Sequence, residues 1–359
     1  MKILYVITQL GVGGAEVVLV SMANKMIELG HQVEVVSLLN INKQKFNDNI
    51  YVHVLDLKHN PIDASIQFRK IIKKFNPDVV HSHCLHANII TRFYRLLFSM
   101  KKLITTAHNT YEGQGLIMSI FKYTNFLSNT ITNVSSDAVI AFEKNKYVKH
   151  KQMKVMFNII NIDKFEFSKN LRDEYRNKFK IGEDEKVIIS VGSMKDSKDY
   201  PNLLKAIQLA KDKTSIKFKV FVVGDGDLMS ETLQLALELG IKENVSFLGI
   251  RNDVNALLCM ADIFVLSSKH EGLPTVLIEA AMARNLIIST DCGGIDDILP
   301  TRNNVVEIKK PAELAEKIVK MIQISHEEAN MQIEKTYLHV KENFNPNKIA
   351  KDWLNIYQP

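Results

Sequence analysis

The chain opens Met1-Lys2-Ile3-Leu4-Tyr5-Val6-Ile7-Thr8-Gln9-Leu10-Gly11-Val12-Gly13-Gly14-Ala15-Glu16, which joins a short apolar run to a glycine turn and the first residues of a helical pattern. The run predicts a strand over Ile3–Ile7 and the pattern behind the turn a helix over Glu16–Leu29. Glycines at such a turn let the backbone approach a phosphate or sugar at a helix N-terminus. The turn does not complete the dinucleotide fingerprint G-x-G-x-x-G. Taken alone, a structural turn explains it equally well.

The same unit recurs outward from this stretch. Further strands are expected at Gln32–Leu38, Val79–His81, Leu103–Thr106, Ala138–Ile140 and Lys154–Met156. A polar, charged stretch from Ser168 to Lys186 reads as a linker with one short helix. A second series then follows at Val187–Val191, Lys217–Val223, Val245–Phe247, Ile263–Leu266, Leu286–Ser289 and Val305–Glu307. Strands alternating with helices predict parallel sheets with crossover helices. The fold class is therefore α/β, with two Rossmann-like, doubly wound domains facing a central cleft. The expected boundaries are 1–166 for the first domain and 167–343 for the second.

Composition sets limits on function. The 359 residues are 46% apolar and 24% charged, an ordinary globular balance, and suit two domains. Three scattered cysteines, Cys84, Cys259 and Cys292, exclude a disulfide framework and point to a reducing compartment. The first apolar run is too short for a signal peptide, and a cytoplasmic location is expected. The net charge of +6 is uneven: residues 1–166 carry 20 Lys+Arg against 12 Asp+Glu, and residues 167–359 carry 26 against 28. That asymmetry fits an anionic partner or simply a solvated basic surface. No nucleic-acid-binding module or aromatic platform accompanies it, so nucleic acid is not expected. The segment 90–102 joins aromatic and aliphatic residues to Arg92, Arg95, Lys101 and Lys102, and 144–154 is a second basic stretch. Both allow peripheral contact with an anionic membrane, and the first fits equally a helix packing its apolar side on the sheet.

The chemistry concentrates in Lys269-His270-Glu271-Gly272-Leu273-Pro274-Thr275-Val276-Leu277-Ile278-Glu279-Ala280. Pro274 and Thr275 start a helix, so Glu271 lies in the preceding loop and Glu279 about one turn inside. At about 1.5 Å per residue the two carboxylates stand on the order of 12 Å apart. Carboxylates that share one glycosidic bond stand about 5 to 9.5 Å apart. This pair suits opposite ends of a long ligand, with helix N–H groups between them for an anion. Ligands of doubly wound sheets bind beyond the carboxyl ends of strands. Gly192 to Lys198, Gly224-Asp225-Gly226-Asp227 and Glu271 all follow predicted strands.

These segments together resemble the retaining GT-B glycosyltransferases of glycosyltransferase family 4. The resemblance rests on Gly11-Val12-Gly13-Gly14-Ala15-Glu16, Asp78-Val79-Val80-His81-Ser82-His83, Thr105-Thr106-Ala107-His108-Asn109, Lys198-Asp199-Tyr200-Pro201-Asn202-Leu203-Leu204, Val223-Gly224-Asp225-Gly226, and Glu271-Gly272-Leu273-Pro274 through Glu279. It implies a transferase moving a hexose or N-acetylhexosamine from a UDP- or GDP-linked sugar to a glycan or lipid-linked acceptor in cell-surface polysaccharide synthesis. A sugar-nucleotide epimerase of the same architecture is the alternative. Under the resemblance, Glu271 and His108 are the catalytic residues. Gly13, Gly14, Lys198, Gly272, Leu273, Pro274 and Glu279 bind the donor, with Glu279 on the ribose and Lys198 on the diphosphate. No cofactor or metal is implied. The family's last helix crosses back to the first domain, so 344–359, with Trp353, belongs there. Two departures stand out: Ser193 replaces an arginine common in the family, and Asn158-Ile159-Ile160-Asn161 lacks the usual glycine. Two metal patterns compete with this reading. Asp225-Gly226-Asp227 spells D-x-D, and His81, His83, Cys84 and His86 form a cluster on paper.

Overall fold

A computed structural model describes residues 1–11 and 13–358; Val12 of the glycine turn and Pro359 lie outside the described residues. The chain divides into two compact units, residues 1–160 with 344–359, and residues 161–343.

Unit 1 holds seven parallel strands: β1 Lys2–Ile7, β2 Gln32–Ser37, β3 Tyr51–Val54, β4 Val79–His83, β5 Leu103–Ala107, β6 Thr130–Asn133 and β7 Met153–Val155, in the order β3-β2-β1-β4-β5-β6-β7. Its helices are α1 Gly14–Glu28, α2 Pro61–Phe75, α3 Leu85–Leu97, α4 Leu116–Tyr123, α5 Ser136–Lys144 and, after unit 2 in sequence, α13 Pro346–Tyr357. β1 is buried on both faces, as a central strand of a parallel sheet must be. On one face Leu4, Val6 and Val80 pack with Phe68 and Ile72 of α2 and Ala87 and Tyr94 of α3. On the other, Tyr5 and His81 meet α13: Tyr5 Oη lies 3.1 Å from Tyr357 Oη, and the His81 and Trp353 rings are 4.7 Å apart. Trp353 Nε1 also donates to Phe157 O at 3.0 Å, which anchors the returning helix on N-terminal residues.

Unit 2 holds six parallel strands: β8 Lys186–Val191, β9 Phe218–Val223, β10 Val245–Phe247, β11 Ile263–Leu266, β12 Leu286–Thr290 and β13 Val305–Val306, in the order β10-β9-β8-β11-β12-β13. Its helices are α6 Lys169–Lys178, α7 Tyr200–Lys211, α8 Met229–Glu238, α9 Val254–Met260, α10 Thr275–Met282, α11 Pro311–Ile322 and α12 His326–Asn343. Ile188, Val220 and Val265 from three strands pack with Leu203 and Ile207 of α7 and Leu314 and Ile318 of α11.

Several sequence expectations need correction. Ala138–Ile140 is not a strand but lies in α5. Ser135 caps that helix by accepting from Ala138 N, and helical spacing buries Ala138, Val139 and Phe142 on one face. The strand in that region is β6, which ends at Asn133, two residues before that cap. Residues 168–186 are not a free linker, since Ser168 caps α6 and Arg172 binds Asp262 at 2.5 Å and three carbonyls at the end of α9. The boundary falls at 160 rather than 166: Ile162 is buried, and Phe167 N donates to Met282 O of α10. In α3, Arg92 is no surface cation. It is fully buried, donates to Ser128 Oγ, Phe121 O and Thr105 Oγ1 at 2.9 Å each, and lies 4.3 Å from the Phe121 ring. Burial pulls its pKa down to about 9.

Candidate active site

In unit 2 the sheet grows from β8 through β9 to β10, then crosses to lay β11 on the other side of β8. The loops after β8 and β11 therefore run apart and open a crevice at the carboxyl ends of those strands. The β8 loop ends in a short 3₁₀ turn, Asp196–Lys198, and Asp199, at φ 48°, swings the chain into α7. The β11 loop runs from Ser267 to Pro274 and enters α10. Lys198 and Glu271 meet between them. Lys198 Nζ lies 2.5 Å from Glu271 Oε1, and Ser268 Oγ donates to the same oxygen at 2.6 Å. Ser267 Oγ donates to Lys198 O at 2.8 Å and fastens the two loops backbone to side chain.

The pair is withdrawn from water, with side chains 20% and 13% exposed. Sequence reading gave these residues separate tasks at the two ends of a sugar diphosphate. The geometry makes them one unit. The ammonium has three donors, so it can keep Glu271 and still offer protons to an anion. A third loop supports them. Glu271 N donates to Cys292 O at 2.7 Å, and a Cβ added at Gly294, φ 68°, would stand 2.3 Å from Gly272 O. Only glycine permits that backbone contact. Burial beside Glu271 pushes the Cys292 thiol up to about 12, so it is inert.

Gly272, Leu273 and Pro274 are buried at the entry to α10. No side chain caps that helix, so its first N–H groups remain available to an anion. Glu279 lies one turn in. It is partly buried and makes no side-chain hydrogen bond to any described residue. Burial pushes its carboxyl up to about 7, with Lys164 offsetting part of the rise. A carboxyl held from water with its hydrogen-bonding capacity unused is matched by hydroxyl donors.

In unit 1 the corresponding reversal lies between β1 and β4. The glycine turn follows β1, with Gly13 at the cap position of α1. Glu16, in the first turn, folds back over it: a Cβ at Gly13 would lie 2.5 Å from Glu16 Oε2, whereas Gly14 is open. An anion seated over Gly13 must displace that like-charged carboxylate. His108 follows β5. Its Nε2 lies 3.0 Å from His83 Nδ1, and its backbone N donates to Glu112 Oε1 at 2.6 Å. Burial lowers His108 to about 4 and raises Glu112 to about 7, so the imidazole is neutral near pH 7.

The paper metal cluster does not assemble. His81 is bonded to Tyr357 Oη and Thr106 Oγ1, His86 is exposed, and no described group of three His, Cys, Asp or Glu side chains is placed to hold a metal ion. Asp225 Oδ1 accepts from Gly226 N at 2.7 Å, and a Cβ at Gly224, φ 133°, would lie 1.9 Å from Gly192 O. That motif is a packed turn against the β8 loop.

Two family descriptions match the chain: "Glycosyltransferase Family 4" over residues 12–164 and "Glycosyl transferases group 1" over residues 172–339. The chain belongs to the group 1, family 4 glycosyltransferases. It is similar to N-acetyl-alpha-D-glucosaminyl L-malate synthase of Bacillus anthracis, 25% identical over 364 residues that cover 96% of this chain and 94% of the relative. It is 27% identical over 225 residues to UDP-Gal:alpha-D-GlcNAc-diphosphoundecaprenol alpha-1,3-galactosyltransferase of Escherichia coli, covering 60% of this chain and 58% of that one. Anabaena HepE, solved in complex with UDP and glucose, superposes at a TM-score of 0.84 with 16% identity, 99% of each chain being covered. The glycosyltransferase thus has the GT-B fold.

Residues that sequence reading missed in this glycosyltransferase are Ser268, Cys292 with Gly294, Glu112, and His83 as a partner of His108. Ser268 and Gly294 follow β11 and β12, so the rule that loops after parallel strands carry the site would have found them. Ser193, in place of the family's arginine, supplies no cation beside Lys198. Lys195 is exposed, and Lys269 Nζ is bound to Asp196 at 2.6 Å.

Proposed function

We propose that this glycosyltransferase moves a hexose or N-acetylhexosamine, with retention, from a UDP- or GDP-linked donor to a glycan or lipid-linked acceptor in cell-surface polysaccharide synthesis. The observation that carries the reading is the Lys198–Glu271 pair at the strand reversal of unit 2, followed by Glu279, whose carboxyl makes no hydrogen bond to any described side chain or backbone group. Glu279 accepts from the ribose hydroxyls. The free N–H groups of α10 and the spare protons of Lys198 take the diphosphate. Glu271 lies toward the hexose, where positive charge develops as the bond to phosphate lengthens. His108 hydrogen-bonds the reacting sugar. Leaving and attacking oxygens share one face, and the departing phosphate takes the acceptor's proton, so catalysis is positioning and charge stabilisation. The E. coli relative, named for a UDP-linked sugar and a diphosphate-linked lipid acceptor, supports a uridine nucleotide and an acceptor of that kind.

Thermal shift with UDP-glucose, UDP-galactose, UDP-N-acetylglucosamine and GDP-mannose tests the donor, since a bound ligand raises Tm by mass action. One of the four is expected to stabilise the fold and to release nucleotide only with an acceptor, undiminished by EDTA. Release without transfer, or conversion of the sugar while still nucleotide-linked, would favour the epimerase. Strict dependence on a divalent ion would overturn the metal-free mechanism.

No helix among the described residues is long and apolar enough to cross a membrane. We place the enzyme in the cytoplasm, peripheral to the membrane. Support comes from Phe93, Leu96 and Leu97, which α3 exposes rather than packs on the sheet, beside exposed Phe126. Sedimentation with phosphatidylglycerol vesicles but not phosphatidylcholine vesicles is expected, and Leu96→Asp with Leu97→Asp should abolish it. Equal recovery with both lipids would refute the electrostatic part.

A further inference from the structure

We propose that His83 is a positioning residue that fixes the proton of His108 on Nδ1, so that His108 meets the substrate as a hydrogen-bond donor and not as a base. The part concerning substrate rests on the function proposed above; the tautomer stands on unit 1 alone.

His83 ends β4 and pairs in register with Thr106 of β5, two residues before His108. The two rings are 5.2 Å apart and tilted by 32°, with Nδ1 of His83 3.0 Å from Nε2 of His108. Two neutral imidazoles at that distance share one proton: one ring gives an N–H, the other a lone pair. If His108 were the donor, His83 would carry its own proton on Nε2. That nitrogen is buried and has no partner among the described residues. A buried N–H without an acceptor loses its hydration with nothing in return, and such donors are rarer than unfilled acceptors. If His83 donates from Nδ1 instead, its Nε2 is a bare lone pair, the cheaper orphan. His108 Nε2 is then an acceptor, and its proton must lie on Nδ1, which is bonded to no described residue.

The surroundings hold this state. His81 stacks on His83 at 4.1 Å and is itself pinned at both nitrogens, by Tyr357 Oη at 2.8 Å and Thr106 Oγ1 at 2.6 Å. Tyr5 packs on His83 from β1 at 5.8 Å. Glu112 Oε1 accepts from the His108 backbone N and holds that strand end in place. The ionisable groups facing the pair are His81, Tyr5, Glu112 and Cys84, and burial keeps all three imidazoles neutral. A neutral imidazole whose Nε2 is already filled has no basic nitrogen to offer. It has one directed N–H.

Long-range proton–nitrogen NMR of the full chain labelled with ¹⁵N-histidine reads the tautomer directly at pH 7.5, with His83→Asn and His108→Gln used for assignment. His108 is expected protonated at Nδ1 and bare at Nε2. A proton on Nε2 would overturn the proposal whatever the enzyme turns over. The functional arm uses whichever of the four nucleotide sugars above is a substrate. His83→Asn keeps an N–H where Nδ1 stood, and kcat should remain within about threefold. His83→Ala removes it, and kcat should fall about tenfold or more, with the donor KM little changed. Equal losses in the two variants, or full activity in His83→Ala, would show that His83 does not act through that proton. Should His83→Ala fail to fold, the spectrum of the unaltered protein still decides the tautomer.

Discussion

Glu271→Gln is expected to lower kcat by about 10²- to 10³-fold, the usual loss for one preorganised electrostatic group. The amide keeps the shape of the carboxylate, and the backbone bond from N of residue 271 to Cys292 O is untouched. It removes the charge that faces the developing positive centre, and it releases Lys198. Freed from its 2.5 Å contact, Lys198 regains the rotamers of a four-carbon stem and no longer points its spare protons at one place. The double variant Glu271→Gln with Lys198→Ala should therefore lose scarcely more than the worse single, because groups acting as a unit are not additive. A kcat within threefold of the parent, or additive losses in the double variant, would separate the two residues again.

Glu279→Ala should leave kcat at saturation nearly unchanged and weaken donor binding by about 1.5 to 3 kcal/mol, roughly 10- to 150-fold in Kd. The ribose bonds it removes exist before and during reaction, so ground state and transition state lose alike. The pH dependence is specific to this residue. With a folded-state pKa near 7, Glu279 is half protonated at neutrality, and only its carboxylate accepts from both hydroxyls. Donor affinity should therefore rise from pH 6 to pH 8 in the parent and stay flat in Glu279→Gln. The same shift fixes a stability sign. A carboxyl whose pKa is raised on folding favours the fold below its unfolded value near 4.5, and that advantage is lost as pH rises through 7. Glu279→Gln should accordingly melt higher than the parent at pH 8 without donor. A lower melting point there, or a parental pH slope in the variant, would assign the slope to another group.

Much of this was legible in the sequence, for identifiable reasons. Strands such as β1, β9 and β11 are buried on both faces and so write uninterrupted apolar runs between polar turns. β3 was missed because Tyr51-Val52-His53-Val54 lies at the sheet edge, where none of its residues is fully buried. β6 was missed because Thr130-Ile131-Thr132-Asn133 spends its inward positions on polar side chains that bond within the sheet, as Thr132 does to Thr106. Ala138–Ile140 read as a strand because three apolar residues carry no period long enough to tell helix from strand. Glu271 and Lys198 stand out in the sequence because each lies in the loop after a strand, and Glu279 because it lies one turn into the helix that Glu271 precedes. Their pairing could not, because it joins residues 73 positions apart through the sheet order. The same holds for His83 and His108, and Arg92 looked like a surface cation because its acceptors come from another stretch of chain.

The position of α13 inverts the order in which the halves can be finished. Residues 161–343 are one uninterrupted segment, whereas unit 1 needs a helix that leaves the ribosome only after that segment has been made. At about 5 to 20 residues per second, the interval between Ile160 and Phe344 is roughly 10 to 40 s. Throughout it, the face of β1 and β4 that carries Tyr5 and His81 lacks Trp353 and Tyr357, which later bury it. The half translated second is thus free to fold first. The half translated first waits, with a polar-edged apolar seam open to chaperones, until its own C-terminal helix closes it.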